Sequence, residues 1–195
     1  YLPGWAMANV DSVDITVRGI GGHGAYPHTT KDPIVLAANI VSQLQTIVSR
    51  RIAPTDPAVV TVGSIHGGTK HNVIPNEVKL QLTLRSYTDE VRNETLASIE
   101  KIVKGAAISA GLSEDYYPLI EIKDEYTPAV FNNPGLVEKV QKSFVNSLGS
   151  ENVIKVSPVM GGEDFGMFGR VEPIIPTALF WLGAVNNKVY EKALR

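Results

Sequence analysis

Val78-Lys-Leu-Gln-Leu-Thr-Leu-Arg85 places Val78, Leu80, Leu82 and Leu84 on one side of an extended chain, and Lys79, Gln81, Thr83 and Arg85 on the other. Strict alternation of this kind marks a strand with one face buried. Working outward, three further strands can be read. Val13, Ile15 and Val17 alternate with Asp14, Thr16 and Arg18. Val59-Val-Thr-Val-Gly-Ser-Ile65 is apolar on both faces in part, and Tyr117 to Ile122 supplies the fourth. Two helices separate them. Asp32 followed by Pro33 is an N-cap with proline at the first helical position. Ile34, Ala37, Ala38, Val41, Leu44 and Val48 then recur at helical spacing to about Arg51, and Ala53 to Pro57 breaks the pattern. Thr88 caps the second helix, whose stripe is Val91, Ile99, Ile102, Val103 and Ala106, with Gly111 as its stop. Strand, helix, strand, strand, helix, strand is the split βαβ order. The expected class is α+β: a ferredoxin-like, four-stranded antiparallel sheet with two helices on one face. It covers residues 10–125, with residues 1–9 as a linker into it.

Residues 126–195 read differently. Asn133-Pro134 opens a helix to about Leu148. Thr177-Ala-Leu-Phe-Trp-Leu-Gly183 predicts an apolar strand buried on both faces, in the style of a parallel sheet. One helix and one strand cannot close a core, so this part is expected to be an incomplete α/β segment.

The 195 residues are 44% hydrophobic and 19% charged, ordinary for a globular protein, with formal net charge −2. That charge gives no footprint for nucleic acid or an anionic membrane. No apolar run approaches the roughly 20 residues of a membrane span. The absence of cysteine excludes disulfides and thiolate metal sites and fits a reducing, cytoplasmic setting. The chain begins at Tyr1 without a signal-peptide pattern, and reads as a fragment or processed chain.

All four histidines fall near glycine. Gly19-Ile-Gly-Gly-His23-Gly-Ala-Tyr-Pro-His28 and Ile65-His66-Gly-Gly-Thr-Lys-His71-Asn72-Val-Ile-Pro75 read as loops between rigid elements. Glycine there permits positive φ or close approach of a ligand or chain. A four-histidine metal site matches no compact zinc spacing. Asn72 is either a turn residue or an amide donor to a ligand oxygen. Arg85 is either a solvated charge or a two-point clamp for a carboxylate. Gly161-Gly162-Glu163-Asp164 offers backbone amides and carboxylates, or simply opens a helix with acidic first-turn residues.

Taken together and in order, Gly21 to His28, Gly67 to Pro75, Leu84-Arg85 and Met160-Gly-Gly-Glu-Asp-Phe165 resemble a known family. It is that of the metal-dependent amidohydrolases of hippurate hydrolase, N-acyl-amino-acid amidohydrolase and auxin-conjugate hydrolase type, related to aminoacylase. The resemblance implies a ferredoxin-like lid (10–125) that forms a homodimer, and part of a catalytic domain (126–195). It implies that His23 reaches the partner subunit's active site and polarises the scissile carbonyl, with His28, His66 and His71 mattering less. It makes Asn72 and Arg85 substrate-binding, with Gly161, Gly162 and Glu163 on the pocket rim. The family's two divalent metal ions, zinc, manganese or similar, use ligands that lie mostly before Tyr1, and a last histidine with no counterpart after His71. No metal is therefore expected in this chain, which is expected to be inactive by itself.

Two other readings compete with an enzyme acting on small N-acyl amino acids or peptides. One is a non-catalytic dimerisation module. The other is an RNA-binding ferredoxin-like domain, which needs aromatics on its open face. The corresponding positions are Asp14, Thr16, Arg18, Lys79, Gln81, Thr83 and Arg85. Residues 59–65 carry no charge, and as an edge strand would pair with a second copy.

Overall fold

The computed structural model describes residues 1–193. Its centre is an antiparallel ladder of β2 (Asp11–Arg18) with β6 (Glu77–Ser86), running without slip from Asp11 opposite Leu84 to Arg18 opposite Glu77. β4 (Ala58–Gly67) pairs with the outer side of β6, and β7 (Leu119–Ile122) with the outer side of β2. The order β4-β6-β2-β7 is the ferredoxin-like sheet expected from the sequence, with β4 and β7 at its edges. β7 begins at Leu119 rather than at the expected Tyr117, because the Tyr117 amide closes the 3₁₀ turn Glu114–Tyr116 on the Glu114 carbonyl and Pro118 has no N–H for a ladder.

α1 (Pro33–Thr46) starts where Asp32 accepts hydrogen bonds from the amides of Ile34 and Val35, and ends in a wider turn over Ile47–Arg51. α2 (Asp89–Ser109) starts at Thr88, whose side chain accepts from the Val91 amide, and Gly111 follows it at φ +69°. Both helices cover one face of the sheet. Val13, Ile15, Val17, Val78, Leu80, Leu82 and Leu84 pack there against Leu36, Ile40, Leu44, Ile99, Ile102 and Val103. The opposite face is open and polar.

The mixed pattern of residues 59–65 has a local cause. The register slips between Val62 and Ser64, so Val60 faces Leu84, Val62 faces Leu82, and Ile65 faces Leu80. A bulge at Gly63 returns the apolar residues to the helix face. Ile65 is nevertheless 54% exposed, and Ile34 of α1 and Val48 of the turn that ends it are also exposed. Ser64 Oγ is shielded from solvent and has no hydrogen-bond partner among the described residues.

Two short pairings had no periodic signature. β3 (Gly22–His23) pairs with β5 (Val73–Ile74), and β1 (Gly4–Met7) pairs with β8 (Val130–Asn132). Residues 4–7, read above as part of a linker, are therefore strand. α3 (Pro134–Leu148) is capped by Asn133 as the sequence suggested, and α4 (Asn187–Ala193) closes the described chain.

The buried strand expected at 177–183 does not form. Leu182 is 83% exposed, and no ladder partner runs beside it among the described residues. Instead the run is held at two residues: the Asn133 amide donates to the Thr177 carbonyl at 2.8 Å, and the buried Asn132 side chain accepts from the Leu179 amide at 2.7 Å through Oδ1 and donates to the Leu179 carbonyl at 2.9 Å through Nδ2. One backbone bond and one amide side chain cannot replace a neighbouring strand. The core here is correspondingly small: Leu2, Ala6 and Val130 with Met7, Phe165 and Leu179 around them.

The two parts meet across a polar seam. Asp11 is buried, and Arg92 grips it with two guanidinium nitrogens at 2.6–3.0 Å. The same guanidinium lies 4.2 Å from the Tyr126 ring centroid. Tyr126 donates to Asp89, which also accepts two bonds from Arg170 at 2.9 and 3.0 Å. The Arg170 hydrogen bonds hold the Asp89 carboxyl below the usual carboxylate range. A depressed carboxyl stabilises the fold above its unfolded pKa and loses that contribution as pH falls through the folded value. Asp89 is half exposed, so solvent screening limits the pair to at most about 1 kcal/mol.

Arg92→Ala should be far more costly, because it strands the buried Asp11 carboxylate. The expected loss is about 3–5 kcal/mol by urea unfolding. A loss under about 1 kcal/mol would show that this ion pair does not anchor the seam.

Candidate functional site

The glycines around His23 serve close approach. None of Gly19, Gly21, Gly22 and Gly24 has positive φ, so the conformational reason offered by the sequence does not apply. A Cβ on Gly21 would lie 2.5 Å from the Ile74 carbonyl oxygen, closer than any side chain can sit. The Gly21 amide donates to Asn76 Oδ1 at 2.9 Å, and the Gly24 amide to the Asn72 carbonyl at 2.8 Å. These contacts zip β3 to β5 and bring the His23 and Asn72 stretches together at one end of the sheet. Asn76, which holds the glycine run, was not singled out in the sequence. The only signal for it was an amide residue directly after Pro75.

His23 is exposed, and its Nδ1 accepts from the Ala25 amide at 3.1 Å. An imidazole nitrogen that accepts carries no proton, so in the neutral ring the proton is on Nε2. The outward side of the ring is thus a hydrogen-bond donor. The Tyr26 ring stands 5.7 Å from it, centroid to centroid. His28 lies in the 3₁₀ turn Pro27–Thr29, and His71 in the turn before β5. His66 is not in a loop: it is the penultimate residue of β4, opposite Lys79. Among the described residues no group of three or more His, Asp or Glu side chains could hold a metal ion. The described residues do not form a metal centre.

The second cluster is elsewhere. Arg85 lies half-buried near the end of β6, on the open face. A Cβ on Gly162 would be 3.1 Å from Arg85 Nη1 and 2.1 Å from Val10 Cγ2, so only glycine fits beside that guanidinium. The Gly161 carbonyl accepts from the Ala8 amide at 3.0 Å, which ties this loop to the start of the sheet. No ion pair among the described residues includes Arg85. Its donors remain available for a carboxylate. Glu163 is exposed and precedes the 3₁₀ helix Asp164–Arg170 without capping it by its side chain.

The two clusters occupy opposite ends of the sheet. His23 and Asn72 lie beyond the Arg18–Glu77 end, and Arg85 with Gly161 and Gly162 at the Asp11–Leu84 end. From Glu77 to Arg85 a strand spans about 27 Å, at ~3.4 Å per residue. Within one chain these residues cannot touch one small substrate.

A family model described as the peptidase dimerisation domain of the M20 group matches residues 6–110. The chain belongs to the M20 dimerisation-domain family. It is 40% identical over 182 residues to an N-acetyldiaminopimelate deacetylase of Lactococcus lactis subsp. cremoris, covering 93% of this chain and 46% of that protein. It is 35% identical to the thermostable carboxypeptidase 2 of Saccharolobus solfataricus, covering 93% and 44%. The chain thus spans about half the length of the curated relatives it matches. A solved structure from methicillin-resistant Staphylococcus aureus superposes with a TM-score of 0.76 at 32% identity, covering 86% of this chain and 42% of that one. The YXEP protein of Bacillus subtilis, a dinuclear metal-binding peptidase from the M20 family, superposes with a TM-score of 0.61 at 26% identity, covering 86% and 39%. The M20 likeness thus agrees with the α+β fold read from the sequence.

Gly21→Ala should force β3 away from β5. The Gly24 amide is then expected to lose protection from hydrogen exchange while the core strands keep theirs. Unchanged Gly24 protection would mean that close approach is not what the glycine run provides.

Proposed function

We propose that this chain is the dimerisation lid, residues 10–125, and part of the catalytic domain, residues 126–195, of a metal-dependent amidohydrolase. Its substrates are N-acyl amino acids or related small amides and peptides. The observation that carries the reading is the separation of the two polar clusters by a full strand length. A two-fold axis through the β4 edge reconciles them. It pairs β4 with β4 of a second copy, antiparallel, in one eight-stranded sheet. The rotation turns the second copy end for end. The His23 and Asn72 loops of one copy then lie on the same side as Arg85 and Gly162 of the other.

The β4 edge supports this pairing. It carries no charge from Val59 to Ile65, its helix side exposes Ile65, and Ile34 of α1 and Val48 of the wider turn after it lie exposed next to it. A bare edge flanked by apolar side chains is normally covered. In the second part, Leu182, Phe168 and Ile175 are exposed, which suits packing against further catalytic-domain elements.

In the composite site, Arg85 and Asn72 hold the carboxylate and other oxygens of the substrate, and Gly161, Gly162 and Glu163 border the pocket. His23 donates from Nε2 to the carbonyl oxygen of the scissile amide. Its hydrogen bond strengthens as negative charge builds on that oxygen, which lowers the barrier selectively. The divalent ions of such an enzyme, two in the dinuclear relative, would be held by ligands outside this chain and would supply an activated water when bound. This chain's described residues contribute no centre for them.

In the metal-loaded parent enzyme, His23→Ala should lower turnover of N-acyl amino acids about 10²-fold with metal content unchanged. Near-normal turnover would remove His23 from the chemistry. Thr61→Lys, in the middle of the β4 edge, should convert the dimer to a monomer in sedimentation and abolish activity with it. A variant that stays dimeric would place the two-fold contact elsewhere.

A further inference from the structure

One cavity, of about 440 Å³, is not part of either polar cluster. It lies on the helix side of the sheet, between the start of α1 and the last turn of α2. Its floor is apolar: Leu36, Ala106 and Leu112, all buried. Two cations border it, Arg18 and Lys31. Arg18 donates from Nε and Nη2 to the Tyr117 carbonyl, which leaves the other guanidinium N–H groups free of protein partners among the described residues. Lys31 Nζ lies 3.3 Å from where a Cβ on Gly111 would be, over the end of α2, and forms no ion pair among the described residues. The single acidic lining residue is Asp32, and its Oδ1 is already shared between the Ile34 and Val35 amides at 2.8 and 3.4 Å.

An apolar floor of this size with a few convergent polar groups is the usual form of a small-molecule site. Two cations against one carboxylate leave the rim with one net positive charge. That matches a monoanion. A dianion would leave one charge facing Asp32 and the carbonyl end of α2. We infer that this cavity binds a small monocarboxylate with a short apolar body, the carboxylate between Lys31 and Arg18 and the body on Leu36, Ala106 and Leu112.

The site is built into the stem of the His23 loop. Lys31 and Ile20 exchange both backbone hydrogen bonds, at 2.9 Å each, and a Cβ on Gly19 would be 2.3 Å from the Lys31 carbonyl oxygen. A ligand held by Lys31 therefore holds the residue that closes the loop. The inference stands apart from the proposed reaction, although an acid released from an amide has this chemistry.

Hexanoate is the probe, titrated into the protein with isotope-labelled Leu and Ala methyl groups. Saturable shifts at Leu36, Ala106 and Leu112 are expected, with Kd of about 1 mM or tighter. Lys31→Met, an exposed substitution, should weaken binding at least about 10-fold, as should replacing the probe by hexanamide, since each removes a charge-assisted contact. Failure to saturate by about 10 mM, or shifts that map elsewhere, would overturn the inference. So would a Lys31→Met protein that melts at a lower temperature yet binds hexanoate as before. That result would make Lys31 only a counter-charge for the end of α2.

Discussion

The β2–β6 ladder decides where everything else can be. It runs from Asp11–Leu84 to Arg18–Glu77 without a bulge, and both strands are central in the sheet. Buried alternate residues on both strands lock this register, since a slip of one residue would turn Val13, Ile15, Leu80 and Leu82 to the open face. Rigidity of this kind has a consequence for chemistry. The loop that leaves β2 after Arg18 carries His23 at one end, and Arg85 is held at the other. No side-chain motion closes a gap of about 27 Å, at ~3.4 Å per strand residue. A function that uses both therefore needs a second copy, and the uncharged β4 edge offers a place for it.

Much of the sheet was legible because alternation is a local signal that tertiary packing reinforces. Val78 to Arg85 alternate, and every one of the four apolar residues is buried. Asp32–Pro33 and Thr88 mark their helix starts by side-chain oxygens that reach the free amides, a chemistry contained within four residues. The β4 pattern was harder, because the Gly63 bulge moves Ile65 back to the helix face and blurs a period of two.

What was not legible depended on partners distant in sequence. β3 and β5 are two residues each and exist because Gly21 and Gly24 allow them to approach, with Asn76 as the clamp. Their pairing brings His23 and Asn72 together, which no spacing within either loop could reveal. His66 read as a loop residue because two glycines follow it, yet the ladder to Lys79 continues through it. The apolar run 177–183 read as a buried strand, but a strand needs a ladder. The described chain offers this run only the Asn133 amide at Thr177 and the Asn132 side chain at Leu179. The separation between Arg85 and His23 was likewise invisible until the register was known.

The central claim is that one site draws on two copies, and mixing two inactive variants tests it most directly. His23→Ala and Arg85→Ala chains of the parent enzyme, allowed to exchange subunits, should recover about a quarter of wild-type turnover. Random exchange makes about half of the dimers mixed. Each mixed dimer has one site with both residues intact and one with neither. If His23 and Arg85 instead served the same chain's site, every site would lack one of them. The mixture would then remain as inactive as its components, and that result would contradict the account.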